Sequence, residues 1–384
     1  MAKHVMISGA IACHPLFGAG NSWAFLQYLL GMRRLGLEVY YVEQLNPDEC
    51  IDEHWQPADF SSSANVRYYR ELMNRFGLLH SSSLLESAGP GFVGLSRNEV
   101  ERIAPDVDLL INFSGHLHLQ ALLGAARRRM YIDLDPGYTQ IWHEQYGADM
   151  NLRHHDIYVT VGLNLGEADC PLPTCGIRWQ KSLPPVVIAE WTTTKLPHRT
   201  YSTVADWRGF NPVEWRGVWY GQKADEFKRI ISLPNRLRTP LELCLLIAPD
   251  DPDRIELERY GWQLAPPTVH AATTDAYRDY ITGSRGEFTA VKHGYAAGRT
   301  GWFSDRSACY LAAGRPVIMQ DTGVGKYLPT GSGLLTFTDI DTAAAAIAEV
   351  ESDHARHAAA AAAFARDYLD SDVVLPRLLG LAGL

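Results

Sequence analysis

The stretch GWFSDRSACYLAAGRPVIMQDTG at residues 301–323, continued by VGKYLP at 324–329, decides how this chain folds. It reads as a loop, a helix opened by Ser304 and Asp305, a break at Gly314-Arg315-Pro316, a buried strand at 317–320 and a second glycine-containing turn. A polar N-cap followed by small residues leaves the first backbone N–H groups of the helix facing outward. That end carries roughly half a positive charge, which makes it a seat for a phosphate or pyrophosphate. Arg306 and Arg299 add charge close by. A well-capped αβ unit with no ligand has the same local pattern, so the rest of the chain has to discriminate.

The alternation of strands and helices extends in both directions. A strand at 4–8 leads into a glycine-rich loop with Gly18, Gly20, Asn21 and Ser22, then a helix at 23–35 whose apolar residues recur with the 3.6 period. Gly36 stops it and a strand follows at 38–42. This βαβ opening is the unit of parallel sheets covered on both faces. Further strands are expected at 107–112, 130–134, 157–161 and 186–189. The Pro-containing, polar segment 197–212 reads as a linker. The rhythm then restarts with strands at 217–220, 241–247 and 287–291 and helices at 224–231, 253–260 and 275–281. Ala-rich helices at 342–350, 354–369 and 373–381 close the chain. The fold class is α/β, two Rossmann-like domains at 1–200 and 213–370, with a terminal helix at 371–384. Ligands of open α/β sheets bind beyond the carboxyl ends of the strands.

With these elements in place, the quoted stretch resembles the nucleotide-sugar site of the GT-B glycosyltransferases. The resemblance rests on Ala312-Ala313-Gly314-Arg315-Pro316-Val317, which is similar to the family's A-x-G-x-P-V turn, and on Asp321-Thr322-Gly323 after the strand. It implies two Rossmann-like domains facing a cleft, the donor held by the second domain and the acceptor by the first. The last helix, 371–384, would then return to the first domain. Many retaining members place a glutamate ahead of this helix and another eight residues on. Here Asp305 and Ala313 stand at that spacing, so the resemblance leaves stereochemistry open.

Glycosyl transfer requires stabilisation of the leaving diphosphate, a placed acceptor and, for inversion, a base. The diphosphate is assigned to Ser304, Asp305, Arg306 and Ser307, with Lys223 and Lys292 as further donors and Asp321, Thr322 and Gly323 beside the sugar. Gly18, Gly20, Asn21, Ser22 and His116 fall to the acceptor side or its loop. Asp135, in YIDLDPGYTQIW, and His14, just past the first strand, are the main candidates for the base, with His116 and His118 behind them. A two-residue spacing would put His116 and His118 on one face of a strand, yet no third metal ligand accompanies them. Asp133-Leu134-Asp135 has the form of the metal-diphosphate motif of the other glycosyltransferase fold, and the two-domain plan argues that this is coincidence. Cys170 and Cys175 lack a second pair for zinc. His154 and His155 read as loop residues, and Trp142, Trp191 and Trp207 as candidate stacking surfaces.

Composition sets the outer limits. The 384 residues suit two domains, and 46% hydrophobic with 21% charged residues describes a globular chain. A net charge of −9 argues against nucleic acid as a partner. Six scattered cysteines and no leader pattern point to a reducing cytoplasm, and no apolar run is long enough to span a bilayer. Within these limits the resemblance implies a cytoplasmic bacterial glycosyltransferase. It would use a UDP-, TDP- or GDP-linked sugar, a small-molecule or glycan acceptor, no cofactor and no metal. A sugar-nucleotide 2-epimerase of the same plan and a non-catalytic nucleotide or sugar binder are the rivals.

Overall fold

Val5, Met6 and Ile7 have no solvent exposure in β1 (His4–Ser8), the strand around which the first of two parallel sheets is built. The computed structural model describes residues 3–384, which divide into two compact units. The first holds the chain through Leu134 together with Asp149–Thr160 and Leu375–Leu384. Its further elements are α1 (Ala19–Arg34), β2 (Glu38–Leu45), α2 (Ala64–Arg75), β3 (Ser82–Glu86), β4 (Phe92–Gly94), α3 (Arg97–Ile103), β5 (Leu109–Phe113), α4 (Gln120–Ala125), β6 (Arg129–Asp133) and β7 (Ile157–Thr160). The strand order is β4-β3-β2-β1-β5-β6-β7, parallel except at the β4 edge. Helix α1 buries Trp23, Phe25, Leu26, Leu29 and Met32, and a second cluster packs Met6, Val42 and Leu110 against Val100 and Leu122. Order reverses between β1 and β5, so the switch point of this sheet lies at their carboxyl ends.

The second unit comprises Asp135–Ala148 and Val161–Val374. It contains α5 (Tyr138–Tyr146), β8 (Gln180–Lys181), β9 (Tyr201–Asp206), β10 (Val213–Trp215), β11 (Val218–Tyr220), α6 (Lys223–Arg229), β12 (Leu241–Leu246), α7 (Pro252–Arg259), β13 (Gln263–Ala265), α8 (Pro267–His270) and α9 (Thr274–Gly283). β14 (Gly286–Thr289), α10 (His293–Ala297), α11 (Asp305–Ala312), β15 (Val317–Gln320), β16 (Leu334–Phe337), α12 (Ile340–Ser352) and α13 (His354–Phe364) follow. The last helix, α14 (Ser371–Leu381), begins in this unit. The sheet order is β13-β12-β9-β14-β15-β16, wholly parallel, with its switch point between β9 and β14. The two units are the α/β, Rossmann-like pair that the sequence predicts. Residues 135–148 and 161–200 belong to the second unit, where the sequence reading had counted them with the first.

Four local expectations change. The linker at 197–212 contains β9, the central strand of the second sheet. Its Ser202 and Thr203 are buried because their hydroxyls have partners: Ser202 pairs with Ser284 and Tyr310, and Thr203 reaches Thr289 at 3.3 Å. Residues 186–189 are not a strand. Pro184 and Pro185 cannot donate to a ladder, and the segment runs into a short 3-10 turn at Ile188–Glu190. Residues 218–220 are extended, but as half of the β10–β11 hairpin and outside the parallel sheet. The first helix starts at Ala19, so Gly20, Asn21 and Ser22 lie in its opening turn instead of in a loop.

Candidate functional site

At the switch point of the first unit, the loop after β1 is held from within. Glu43 of β2, 1% exposed, accepts from the backbone N–H groups of Ile11 (2.9 Å), Ala12 (2.7 Å) and Cys13 (3.2 Å) and from Tyr41 Oη (2.7 Å). Three successive N–H groups turned to one side form an anion-binding nest, and here the protein fills it with its own Glu43 carboxyl group. Burial pushes the Glu43 carboxyl up to about 8 against the pull of those four donors. Asn65 Nδ2 ties the same loop through Ala12 O at 2.8 Å. His14 stands exposed on this loop.

The other acceptor-side residues have structural partners. A Cβ on Gly18 would lie 2.0 Å from His14 O, so the glycine is needed for the chain to fold back and not for ligand approach. Asn21 Nδ2 donates to Ala10 O at 2.6 Å and Ser22 Oγ is 2.6 Å from Tyr68 Oη. Beyond β5, Asn112 exchanges two bonds with Leu117, at 2.9 and 3.1 Å, and Asn151 Nδ2 reaches Gly115 O and Leu117 O at 3.0 and 2.6 Å. Two buried amides thus shape the turn that leaves His116 and His118 exposed. Asp133 has no solvent exposure and accepts from Thr160 Oγ1 at 2.9 Å, a structural carboxylate.

In the second unit, the groups assigned from sequence gather beyond β9, β14 and β15. Lys292 Nζ is 3.1 Å from Asp135 Oδ1, and Tyr295 Oη donates to that same oxygen. The ammonium also sits 3.2 Å from the centre of the Phe210 ring, with Tyr138 and Tyr295 at 5.7 and 5.5 Å. Three aromatic faces and a carboxylate make a cation cage. Tyr138 Oη extends it by donating to Gly221 O at 2.7 Å and accepting from Gly294 N at 3.2 Å. Lys292 and Asp135, read as a phosphate clamp and a base, are therefore one pair.

Lys223, first residue of α6, is 8% exposed, and no carboxylate lies within ion-pairing distance among the described residues. Burial first, then the neighbouring Arg306 and Lys292 charges, hold its ammonium well below the usual lysine range, while Glu287 and Asp206 pull the other way. Ser304 caps α11 by accepting from Arg306 N at 3.2 Å, as the sequence predicts. Arg306 corrects the sequence reading. Its guanidinium is buried against the sheet, pairing with Glu287 Oε1 at 2.5 Å and donating to Val204 O and Thr289 Oγ1 at 3.1 Å. Ser307 Oγ is buried without a partner, and burial pushes the Asp305 carboxyl up, against the pull of Arg306. Asp321 accepts from Gly323 N at 2.9 Å, and Thr322 Oγ1 donates to Trp302 O at 2.9 Å. Gly323, at φ +88°, starts the following turn.

The three tryptophans read as stacking surfaces are engaged in packing. Trp191 and Trp207 are buried, and Trp142 packs on Phe210 with ring centres 5.0 Å apart. Among the described residues no group of three or more His, Cys, Asp or Glu is placed to hold a metal ion. All six cysteines are free thiols. No helix among the described residues is long and apolar enough to cross a membrane. Sequence reading missed Glu43, although a lone carboxylate within the apolar strand YYVEQL was a signal for it. It also missed Tyr295, Tyr138 and Phe210, because the cage they form joins segments distant in sequence.

No protein-family model matches the chain, and no curated protein matches it in sequence. Solved structures do. Anabaena Alr3699/HepE, in complex with UDP and glucose, aligns over 100% of both chains with TM-score 0.57 and 11% identity. AviGT4, a glycosyltransferase involved in avilamycin A biosynthesis, aligns over 99% of this chain and 97% of its own, with TM-score 0.56 and 12% identity. The pneumococcal O-GlcNAc transferase GtfA, in complex with UDP and GlcNAc, gives TM-score 0.53 and 10% identity over 100% and 99% of the two chains. At these identities the likeness establishes the fold, which is that of the GT-B glycosyltransferases.

Proposed function

We propose that this chain is a glycosyltransferase that moves a sugar from a nucleoside diphosphate sugar to a hydroxyl of an acceptor, without a metal. The observation that carries the reading is Lys223. It is a nine-tenths buried ammonium without a carboxylate partner, at a helix opening near the switch point of the second sheet. A buried charge without a counter-ion is costly, and a diphosphate would supply the missing one.

In this reading the acceptor oxygen bonds to the anomeric carbon as the bond from that carbon to the diphosphate oxygen breaks. The departing diphosphate gathers negative charge, which Lys223 and the positive end of the α11 dipole stabilise. They would do the work a divalent cation does elsewhere. Asp135 accepts from both Lys292 and Tyr295, so we assign it to holding Lys292 in place. His14, exposed on its braced loop, is the group we assign to taking the acceptor proton. HepE and GtfA are solved with UDP, which makes UDP-sugars the first donors to try, before TDP- and GDP-sugars. The free thiols fit a reducing cytoplasm.

The test is turnover of UDP-sugars in EDTA, followed by mass spectrometry with and without a panel of hydroxyl acceptors. A glycosylated acceptor, with release of UDP that Lys223→Met abolishes, supports the proposal. Conversion of the donor sugar with no acceptor present would replace it with an epimerase. Tight nucleotide binding without any turnover would leave a binding protein.

A further inference from the structure

A cavity of about 520 Å³ opens at the amino ends of β9 and β12, walled by α8 and α9. Its volume lies in the range of small-molecule sites. It belongs wholly to the second unit, and it lies at the opposite end of the sheet from Lys223, Lys292 and Gly323. Strands of four to six residues separate the two ends, roughly 13–20 Å at the usual rise per residue.

The hydrogen-bond directions inside it define what it can bind. Ser284 Oγ donates to Tyr280 O at 2.8 Å, which leaves its lone pairs for the Ser202 hydroxyl 2.5 Å away. Ser202 in turn lies 2.7 Å from Tyr310 Oη, so Tyr310 donates inward along the same chain. Tyr280 Oη donates to Glu242 Oε1 at 2.8 Å. The protons of these hydroxyls are committed within the protein, and lone pairs and carboxylate oxygens are what remains for a ligand. Two carboxylates, Glu242 and Asp279, line the wall, and no lysine or arginine does. Asp279 meets Lys195 at 2.9 Å, but that pair is more than half exposed at both ends and weakly held. The His270 ring lies 4.6 Å from the Tyr280 ring, giving the site one flat aromatic side. Thr200, His198 and His270 also line the cavity and can donate, but the two carboxylates set its charge and favour a protonated amine that also carries hydroxyls over a phosphate.

We propose that this cavity is a second binding site, for a compact hydroxylated ammonium ion of amino-sugar size, separate from the donor site. Glu242 and Asp279 bind the ammonium, and the Ser202–Ser284 floor takes hydroxyl protons. The test is calorimetric titration of the full chain with glucosamine below neutral pH, with N-acetylglucosamine as the neutral comparison. Saturable glucosamine binding is expected, weakened about tenfold in Glu242→Gln and likewise in Asp279→Asn. N-acetylglucosamine should bind at least tenfold more weakly. In Glu242→Gln the new amide oxygen still accepts from Tyr280, and Asp279 is on the surface, so neither variant threatens the fold. UDP should not compete, and Lys223→Met should bind glucosamine as the wild type does. Absence of saturable binding, equal affinity for N-acetylglucosamine, or unchanged affinity in both carboxylate variants would each overturn the proposal. Competition by UDP would reassign the amine to the donor site.

Discussion

Lys292 Nζ and Asp135 Oδ1, 157 residues apart in the chain, meet at 3.1 Å inside an aromatic cage. Neither group is free to act as it would alone: the carboxylate offsets the charge that would draw a phosphate, and the ammonium occupies the oxygen that would take a proton. Asp135→Asn keeps an acceptor for both Lys292 and Tyr295 while removing the negative charge. Affinity for UDP, measured by titration calorimetry, should therefore rise, by up to about fivefold for a pair this exposed. Weaker binding in that variant would mean that the Asp135 charge is needed to keep Lys292 where it meets the donor.

Lys223 should stabilise the bound nucleotide at the expense of the free protein. Its value is depressed in the folded state, so the unfolded chain binds more protons between that value and about 10.4. Stability from this group accordingly rises with pH across that window and is lost as pH falls through it. Lys223→Met should melt higher than the wild type by a few degrees, about 2–4 °C for each kcal/mol in a unit of the size that holds it. The margin should be widest at acidic pH, as thermal unfolding at several pH values would show. A margin that grew toward alkaline pH would contradict this account of the burial.

Arg306 belongs to the fold more than to the ligand. Its pair with Glu287 Oε1 is buried at both ends, and Glu287 Oε2 has no hydrogen-bond partner. Arg306→Ala should cost about 3–5 kcal/mol of stability in denaturant unfolding, because it strands a buried carboxylate. A variant as stable as the wild type but unable to bind UDP would restore the direct phosphate contact that the sequence suggests.

Glu43 should give stability a slope of the opposite sign. Its folded value, about 8, exceeds the unfolded carboxylate value, so the native state holds the extra proton in between. Its contribution is complete below the unfolded value and falls as pH rises toward 8. Glu43→Gln should flatten the dependence of the urea midpoint on pH over that interval, whatever its effect on the midpoint itself. An unchanged slope would show that four donors keep Glu43 ionised throughout.

The sequence was most legible where periodicity and capping act locally. The strand at His4–Ser8, the helix capped by Ser304 and the strand at Val317–Gln320 all follow from residues next to one another in the chain. It was least legible where partners are distant. β9 looked like a linker because Ser202 and Thr203 are polar, and only Ser284, Tyr310 and Thr289 explain their burial. The direction of a long side chain was equally hidden: Arg306 and Lys223 both begin helices, yet one turns into the sheet and the other is left without a counter-ion. The cage around Lys292 combines residues from three separate segments, 135–138, 210 and 292–295, which no spacing rule could join.

The central claim is that Lys223 awaits a diphosphate, and titration calorimetry of UDP into wild type and Lys223→Met, each in excess EDTA, tests it most directly. The account predicts saturable binding to the wild type, unaffected by EDTA. It predicts loss of that binding in the variant. Equal affinity in the two proteins, or binding to the wild type that EDTA abolishes, would contradict it.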